Sequence, residues 1–489
     1  MTFIRLILAP ALAVFLLVCG GCSPAPQAPT APVVRSEPTT EDEAPSARPN
    51  LLLIVADALR ADRVTGTREG VVLMPRINEF AGESWNFRRA RAQATWTKPS
   101  MATVFTSLYP EVHNVLFGIH DPLPGLSPMA DKLPEELETM AEFLKGHGYS
   151  TGAIQTNANI TVHFGFEQGF DSYPDRKYPE FRANDVTDYT IEALEKLSPP
   201  FFFYAHYMDT HAPYDPPAQY LESFRPPADL SEDDRKLLSN YNEGYIDRIL
   251  HEVGLSDQRK YGNLSENGEE FVKYKYDGEA RFLDTEIGRL LDHVRAKYPN
   301  TIIVFTADHG EELWDHGSIG HGKTVFEELT HVPLIVHQRG STPRTIDAPV
   351  ELIDILPTCS GMLELPLRQE WQGRNLAAAL DELPVNRAIY SQTQMSIPGS
   401  NRDLETVIID ADKLILDRKS GTRTLYDLRR DPGERAGVQP ANEDAAPLDS
   451  ALGQHHATND MHPQRRENRE TVTVDPEQAE AIRNIGYGR

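Results

Sequence analysis

The chain has 489 residues, 40% of them hydrophobic and 25% charged, enough to bury a large core in more than one domain. Lys and Arg number 48 against 73 Asp and Glu, a formal net charge of -25. Phosphate-backbone binding needs clustered basic residues, and no such cluster occurs, so no nucleic-acid partner is expected.

Taken in chain order, the first segment reads as an export signal. Arg5 precedes an apolar run from Leu6 to Cys19, and Gly20, Gly21 and Cys22 follow. The run is shorter than the roughly 20 residues of a membrane span and fits a signal peptide over residues 1–21. It resembles a bacterial lipoprotein signal, in which Cys22 becomes the acylated first residue; the alternative is an uncleaved N-terminal anchor. Either way the chain is exported, and a lipid anchor at Cys22 would hold it to the bacterial cell envelope, in the periplasm or at the cell surface. Residues 22–48 are rich in Pro, Ala, Ser, Thr and Glu. They read as a semi-extended linker of about 3.1 Å per residue. Beyond Cys22 only Cys359 remains after the signal, in an apolar stretch, and it reads as a buried small hydrophobe.

From Asn50 short apolar runs alternate with amphipathic segments. The runs are Leu51–Val55, Gly152–Gln155, Phe201–Tyr204, Thr301–Phe305 and Pro333–Val336, each of a length suited to a buried strand. Between them the spacing predicts a helix over Glu135–Lys145 and another over Tyr276–Tyr298, with Leu283, Ile287, Leu290, Leu291 and Val294 on one face. Residues 226–275 interrupt the rhythm as a polar insertion. The alternation predicts an α/β fold with a large, mostly parallel sheet sandwiched by helices, over residues 49–384. Arg387–Gln392, Glu405–Ile409, Leu414–Asp417 and Arg423–Leu428 read as a small C-terminal antiparallel sheet within residues 385–435. Residues 436–489 read as a polar tail, flexible to about residue 474, with a short terminal helix over Pro476–Gly486.

Two of the apolar runs lead into metal-ligand chemistry. Leu51–Val55 runs to Asp57, and Thr301–Phe305 runs to Asp308-His309-Gly310-Glu311-Glu312. In open α/β sheets, sites form beyond the carboxyl ends of strands, and two carboxylates with an imidazole at one edge can hold a divalent cation. Thr97, just before Pro99, would open a helix continued by Ala102–Leu108, where backbone amides favour an anion. A metal-bound hydroxyl at that place would be acidified into a nucleophile.

Taken together these segments resemble the sulfatase family, within the alkaline-phosphatase-like superfamily. The opening strand through Asp57, Arg60 and Asp62 is followed in the family's order by Thr97-Lys98-Pro99-Ser100, Gly148-Tyr149-Ser150-Thr151, and Asp209-Thr210-His211-Ala212-Pro213-Tyr214. Tyr276-Asp277-Gly278-Glu279, Ala307-Asp308-His309-Gly310-Glu311 and Gly320-His321-Gly322-Lys323 continue the series. Val332–Val336, Asp354–Thr358 and Leu425–Leu428 close it, so the resemblance covers about residues 49 to 435. It implies that Asp57, Asp308 and His309 are metal ligands and that Thr97 is the nucleophile and a further ligand. It also implies that Lys323 holds the transferred anion and that His211 steadies the ester oxygen or leaving group. His321 matches a histidine near the phosphate in lipid-A phosphoethanolamine transferases. His206, His316, His331 and His337 are expected to be structural or surface residues.

Departures from the pattern sharpen the expectation. Formylglycine-dependent sulfatases need Cys or Ser at the nucleophile position, followed by x-Pro-x-Arg; here Thr97 and Met101 stand there. Threonine lacks the primary carbon that becomes an aldehyde, so no formylglycine is expected. Ala58 stands where many relatives have a second aspartate ligand. A site with fewer oxygens favours zinc or manganese over calcium, which takes six to eight in general. The expected activity is metal-dependent hydrolysis of sulfate or phosphate esters through Thr97, on a sulfated or phosphorylated glycan, lipid or small molecule. Two alternatives stand beside it. One is a phosphoethanolamine- or phosphoglycerol-type transferase acting on envelope lipids or glycans; the other is a non-catalytic binding protein.

Overall fold

Strands form where the sequence runs apolar without interruption, the pattern of a strand covered on both faces. The computed structural model describes residues 48–119, 128–227, 229–239, 263–394 and 403–484; the export signal and Cys22 lie outside them. In chain order the main strands are β1 (Asn50–Ala56), β2 (Trp85–Arg91), β3 (Ser150–Ile154), β4 (Phe201–Tyr207), β5 (Thr301–Ala307), β6 (His331–His337) and β7 (Arg344–Glu351). β1, β4 and β5 are buried at every position. The seven strands form one sheet in the order β7-β2-β6-β5-β1-β4-β3. β1 pairs in parallel with β4 and β5, and β3 pairs in parallel with β4. Only β6 runs against its neighbours β2 and β5. The fold is therefore α/β with a mixed, mostly parallel sheet.

Two strands lie beyond the predicted set. β2 carries Arg88, Arg89 and Arg91 among its residues, and β7 is an edge strand containing Pro349. Neither is an apolar run. Pro is tolerated at an edge because no neighbour there needs its missing N–H.

Helices cover the sheet. They include α1 (Pro75–Gly82), α2 (Thr97–Thr106), α3 (Met140–Gly146), α4 (Ala183–Leu194) and α5 (Glu266–Lys297). α3 starts at Met140 rather than Glu135 because Thr139 and Glu142 form a reciprocal capping box. α5 begins at Glu266, inside the segment read as an insertion, where the Ser265 hydroxyl accepts from the Gly268 amide. Its predicted apolar face is buried throughout. The rest of that insertion contributes a short helix, Glu232–Ser239, and residues 240–262 lie outside the described residues.

The small sheet is four-stranded and antiparallel: β8 (Ile389–Gln394), β9 (Asp403–Ile409), β10 (Asp412–Asp417) and β11 (Arg423–Asp427), in that order. The stretch read as flexible to residue 474 holds a helix instead, Asn442–Asp460. Ala445, Leu448 and Leu452 fall on one helix face and pack on Val407 and Leu414 of the small sheet. Further on, Thr471–Thr473 pairs antiparallel with Met129–Asp131.

Candidate active site

Five strands deliver functional side chains to one edge of the sheet. Asp57 follows β1 and Thr97 follows β2, at the first turn of α2. Asn157 lies beyond β3, Asp209–His211 beyond β4, and Asp308–His309 beyond β5. All of them are buried, with Asp57, Thr97, Asn157, His211, Asp308 and His309 each at 0% exposure.

Asp57, Asp308 and His309 bring ligand atoms within 4.8 Å of one another. Each carboxylate has one oxygen saturated and one open. Asp57 Oδ2 accepts from Asn157 Nδ2 at 2.7 Å and Thr97 Oγ1 at 3.3 Å, and lies 2.9 Å from His206 Nε2. Asp308 Oδ1 accepts from the amides of His309 at 2.9 Å and Ala58 at 3.2 Å. Asp57 Oδ1 and Asp308 Oδ2 are buried and accept no hydrogen bond. Both lie 3.5 Å from His309 Nε2. His309 Nδ1 donates to the Gly310 carbonyl at 2.8 Å, which makes Nε2 the nitrogen with the lone pair. Thr97 Oγ1 stands 3.4 Å from that nitrogen.

Buried carboxylate oxygens without donors are costly, and these two face each other across a lone pair. Burial and the adjacent Asp57 charge push Asp308 well above the ordinary carboxylate range. Burial also opposes ionisation of Asp57, but the His206 hydrogen bond and the nearby imidazoles outweigh it and hold Asp57 low. A divalent cation at the open oxygens would relieve both the repulsion and the missing bonds. Two carboxylates and one imidazole brought together in this way fit a divalent cation.

Around this centre lies a second group of imidazoles. His211 and His321 have ring centroids 4.8 Å apart, and His321 lies 4.4 Å from the His309 ring. Burial lowers His211 to about 4. It lowers His321 well below its usual value, helped by repulsion from His309 and Lys323. His321 Nδ1 is 2.9 Å from Glu311 Oε1, and Tyr214 donates to Glu311 Oε2 at 2.8 Å. Burial lifts Glu311 to about 7. Lys323 is buried beside them, with Nζ donating to Ser318 Oγ and to the Ile319 carbonyl at 2.6 Å.

The backbone is shaped to this site. Ala58 has a φ of 57°, a left-handed conformation that costs about 1 kcal/mol for a non-glycine residue. Its amide donates to Asp308 and its carbonyl accepts from Tyr276 OH at 2.8 Å. Gly310 admits no side chain, because a Cβ there would stand 1.9 Å from the Glu328 carbonyl. α2 places the first-turn amides beside Thr97, where they favour an anion. Met101 is buried in the same helix.

Asn157, His206 and Glu311 were not singled out from sequence as site residues. Asn157 donates to both Asp57 and Thr97, the latter at 3.0 Å. Glu311 lies in the Asp308-His309-Gly310-Glu311 motif, where nothing local marks its contact with His321. His206 was expected to be structural or surface, yet it touches Asp57. The other histidines serve elsewhere. His316 Nδ1 is 2.6 Å from Glu328 and its Nε2 donates to the Glu434 carbonyl, so both nitrogens are committed. His331 Nε2 donates to the Arg88 carbonyl, and His337 packs on Phe80.

The family model for sulfatases matches residues 49–365, which includes every residue of this centre. The chain belongs to the sulfatase family. An uncharacterized sulfatase of Escherichia coli strain K12 is 24% identical over 444 residues, covering 79% of this chain and 82% of its own. Among solved structures, a 2-O GAG sulfatase superposes with a TM-score of 0.67 at 18% identity, covering 88% of this chain and 96% of its own. A phosphonate monoester hydrolase from Silicibacter pomeroyi superposes with a TM-score of 0.66 at 22% identity, covering 88% and 100%. These likenesses establish the alkaline-phosphatase-like fold for this sulfatase-family chain.

Proposed function

We propose that this sulfatase-family protein is a metal-dependent ester hydrolase with Thr97 as nucleophile, acting on phosphoesters or phosphodiesters in preference to sulfate esters. The observation that carries the reading is the Thr97 hydroxyl, held between Asp57 and His309 beside two open carboxylate oxygens. A divalent cation held by Asp57, Asp308, His309 and Thr97 would lower the hydroxyl pKa and polarise the ester. Asn157 and Asp57 aim Thr97 Oγ1, which gives its proton toward Asp57 Oδ2 as it attacks in line and the bond to the leaving oxygen breaks. Water attack on the transferred group then breaks its bond to Thr97 and restores the hydroxyl. The α2 amides face the oxygens of the transferred group. Glu311, titrating near 7 and 2.9 Å from His321, can pass a proton to the leaving oxygen and recover one from the attacking water. Lys323 and His211 take their roles, holding the anion and the leaving group, from the family resemblance.

Thr97 cannot supply an aldehyde, which favours direct attack at phosphorus, and a phosphonate monoester hydrolase shares the fold. The lipoprotein-like signal ending at Cys22 supports a location at the cell envelope, with an envelope glycan, a lipid or a small ester as substrate. A 2-O GAG sulfatase of like fold makes glycans a natural class to assay.

The test uses purified residues 23–489 on paired aryl sulfate, phosphate monoester and phosphodiester substrates, after metal stripping and restoration of zinc, manganese or calcium. Phosphodiester turnover restored by zinc or manganese is the expected result. Sulfate turnover restored by calcium overturns it. A rate that rises with added alcohol acceptor would make the protein a transferase.

A further inference from the structure

A carboxylate that binds a metal through one oxygen must be told which oxygen to offer. Rotation about its last bond exchanges Oδ1 and Oδ2, and the buried site gives no solvent to complete the shell of the one left over. In Asp57 the choice is made by donors gathered on Oδ2. Asn157 Nδ2 lies at 2.7 Å, and Thr97 Oγ1 at 3.3 Å also serves chemistry. The remaining partner, His206, belongs to no part of the proposed reaction.

His206 stands on β4, which pairs in parallel with β1; its register partner is Val55, two residues before Asp57. Two positions earlier on β4 is Tyr204, and alternate residues of a strand share a face. The Tyr204 hydroxyl is hydrogen-bonded to His206 Nδ1, while His206 Nε2 lies 2.9 Å from Asp57 Oδ2. Asp57 as a carboxylate can only accept, so Nε2 carries the proton and Nδ1 accepts from the phenol. Both imidazole nitrogens are thereby used, which leaves neither to bind a metal. Tyr204 and His206 are each at 0% exposure in a strand whose other residues are three Phe, Ala205 and Tyr207. A buried phenol and imidazole in such a strand are costly unless their hydrogen bonds do something apolar residues could not.

We propose that Tyr204 and His206 form a positioning relay, Tyr204 to His206 to Asp57, that fixes Oδ1 of Asp57 as the metal-binding oxygen. The relay rests on the reading of Asp57 as a ligand, and it acts on metal affinity before it acts on turnover. Neither residue touches substrate. Outer partners of metal ligands typically change affinity by about 10- to 100-fold when removed.

The experiment measures zinc affinity of the metal-free protein by competition with a chromophoric chelator, alongside the melting temperature of each metal-free variant. His206→Leu should bind zinc about 10- to 100-fold more weakly than wild type. Tyr204→Phe keeps the ring and the packing, so it should weaken binding by a smaller factor without a change in metal-free melting temperature. His206→Gln, whose amide can still donate to Oδ2, should recover most of the loss. The cobalt-substituted visible spectrum of His206→Gln should match that of wild type, because the inner ligands are unchanged. Zinc affinity unaltered in both His206→Leu and Tyr204→Phe would overturn the relay. A cobalt spectrum altered in His206→Gln would also overturn it, by making His206 a direct ligand. If His206→Leu does not fold, Tyr204→Phe and His206→Gln carry the decision. Wild-type protein that binds no divalent metal defeats the metal reading itself, and the relay falls with it.

Discussion

At Thr97 the hydroxyl sits on a carbon that also carries a methyl group, so the residue can attack but cannot become an aldehyde. Its neighbours Asp57, Asn157 and His309 hold it in place. Thr97→Ala removes the hydroxyl together with its neighbouring methyl group from a fully buried helix start. With Thr97 as the proposed nucleophile, turnover should fall by at least about 10³-fold, measured at a temperature where the variant stays folded. Thr97→Ser should retain measurable turnover, checked by initial rates at saturating metal. Asp308→Asn addresses the cation: it keeps the shape but removes a charge, so zinc at 100 times the wild-type Kd should no longer raise stability by about 2.7 kcal/mol. Asp57, Thr97, Asp308 and His309 could be picked out in the sequence because each follows an apolar run or opens a helix within a motif. His206 was not, since its partner Asp57 lies 149 positions away and nothing local records their pairing. Asn157 was hidden in the same way, on a turn whose importance depends on β3 lying beyond β4.

Elements around the site are held by charge as much as by apolar packing. His316 links the hairpin after Asp308 to Glu328 and to the Glu434 carbonyl, and its ring stacks on Phe326 with centroids 3.6 Å apart. Burial works against the charged form, but the hydrogen bond and charge of Glu328 prevail and raise His316 to about 8 from 6.5. The folded pKa exceeds the unfolded one, so the pair's stabilisation is complete below about pH 6.5 and lost as pH rises through about 8. The difference in melting temperature between wild type and His316→Leu should therefore be largest near pH 6 and shrink by pH 9. A difference that is flat across this range would contradict the assignment. The apolar strands and the α5 face were readable because burial on both sides leaves a direct trace in composition. β2 and β7 were not, because their charged residues are matched by partners distant in sequence, such as Glu327 for Arg91.

Across the whole molecule, the small sheet is joined to the large one by buried ion pairs. Lys413 of β10 pairs with Glu434 at 2.8 Å and Glu327 at 3.3 Å. Arg387, just before β8, donates to Glu351 Oε2 at 2.6 Å and to both oxygens of Asp354. Glu351 and Asp354 are fully buried, and Tyr109 also donates to Glu351. One guanidinium therefore offsets two carboxylates in a buried seam. Removing it in Arg387→Leu leaves both uncompensated, a change that typically costs about 3–5 kcal/mol. The cost should depend on pH in a defined direction. Burial already raises Glu351 in the intact seam, and without Arg387 its pKa rises further, so acid neutralises the penalty. Denaturant midpoints should show a large deficit for Arg387→Leu at pH 8 and a smaller one near pH 5. The seam also reaches the chemistry. Thr393 at the end of β8 donates to the carbonyl of Gly322 at 2.8 Å, between His321 and Lys323, and the Gly322 amide donates to Thr95 at 2.8 Å. Loosening β8 thus frees the peptide that carries both residues. Arg387→Leu should lose turnover at temperatures several degrees below its global melting point, whereas wild type should lose both together; coincident loss in the variant would show that the small sheet supports stability without supporting the site.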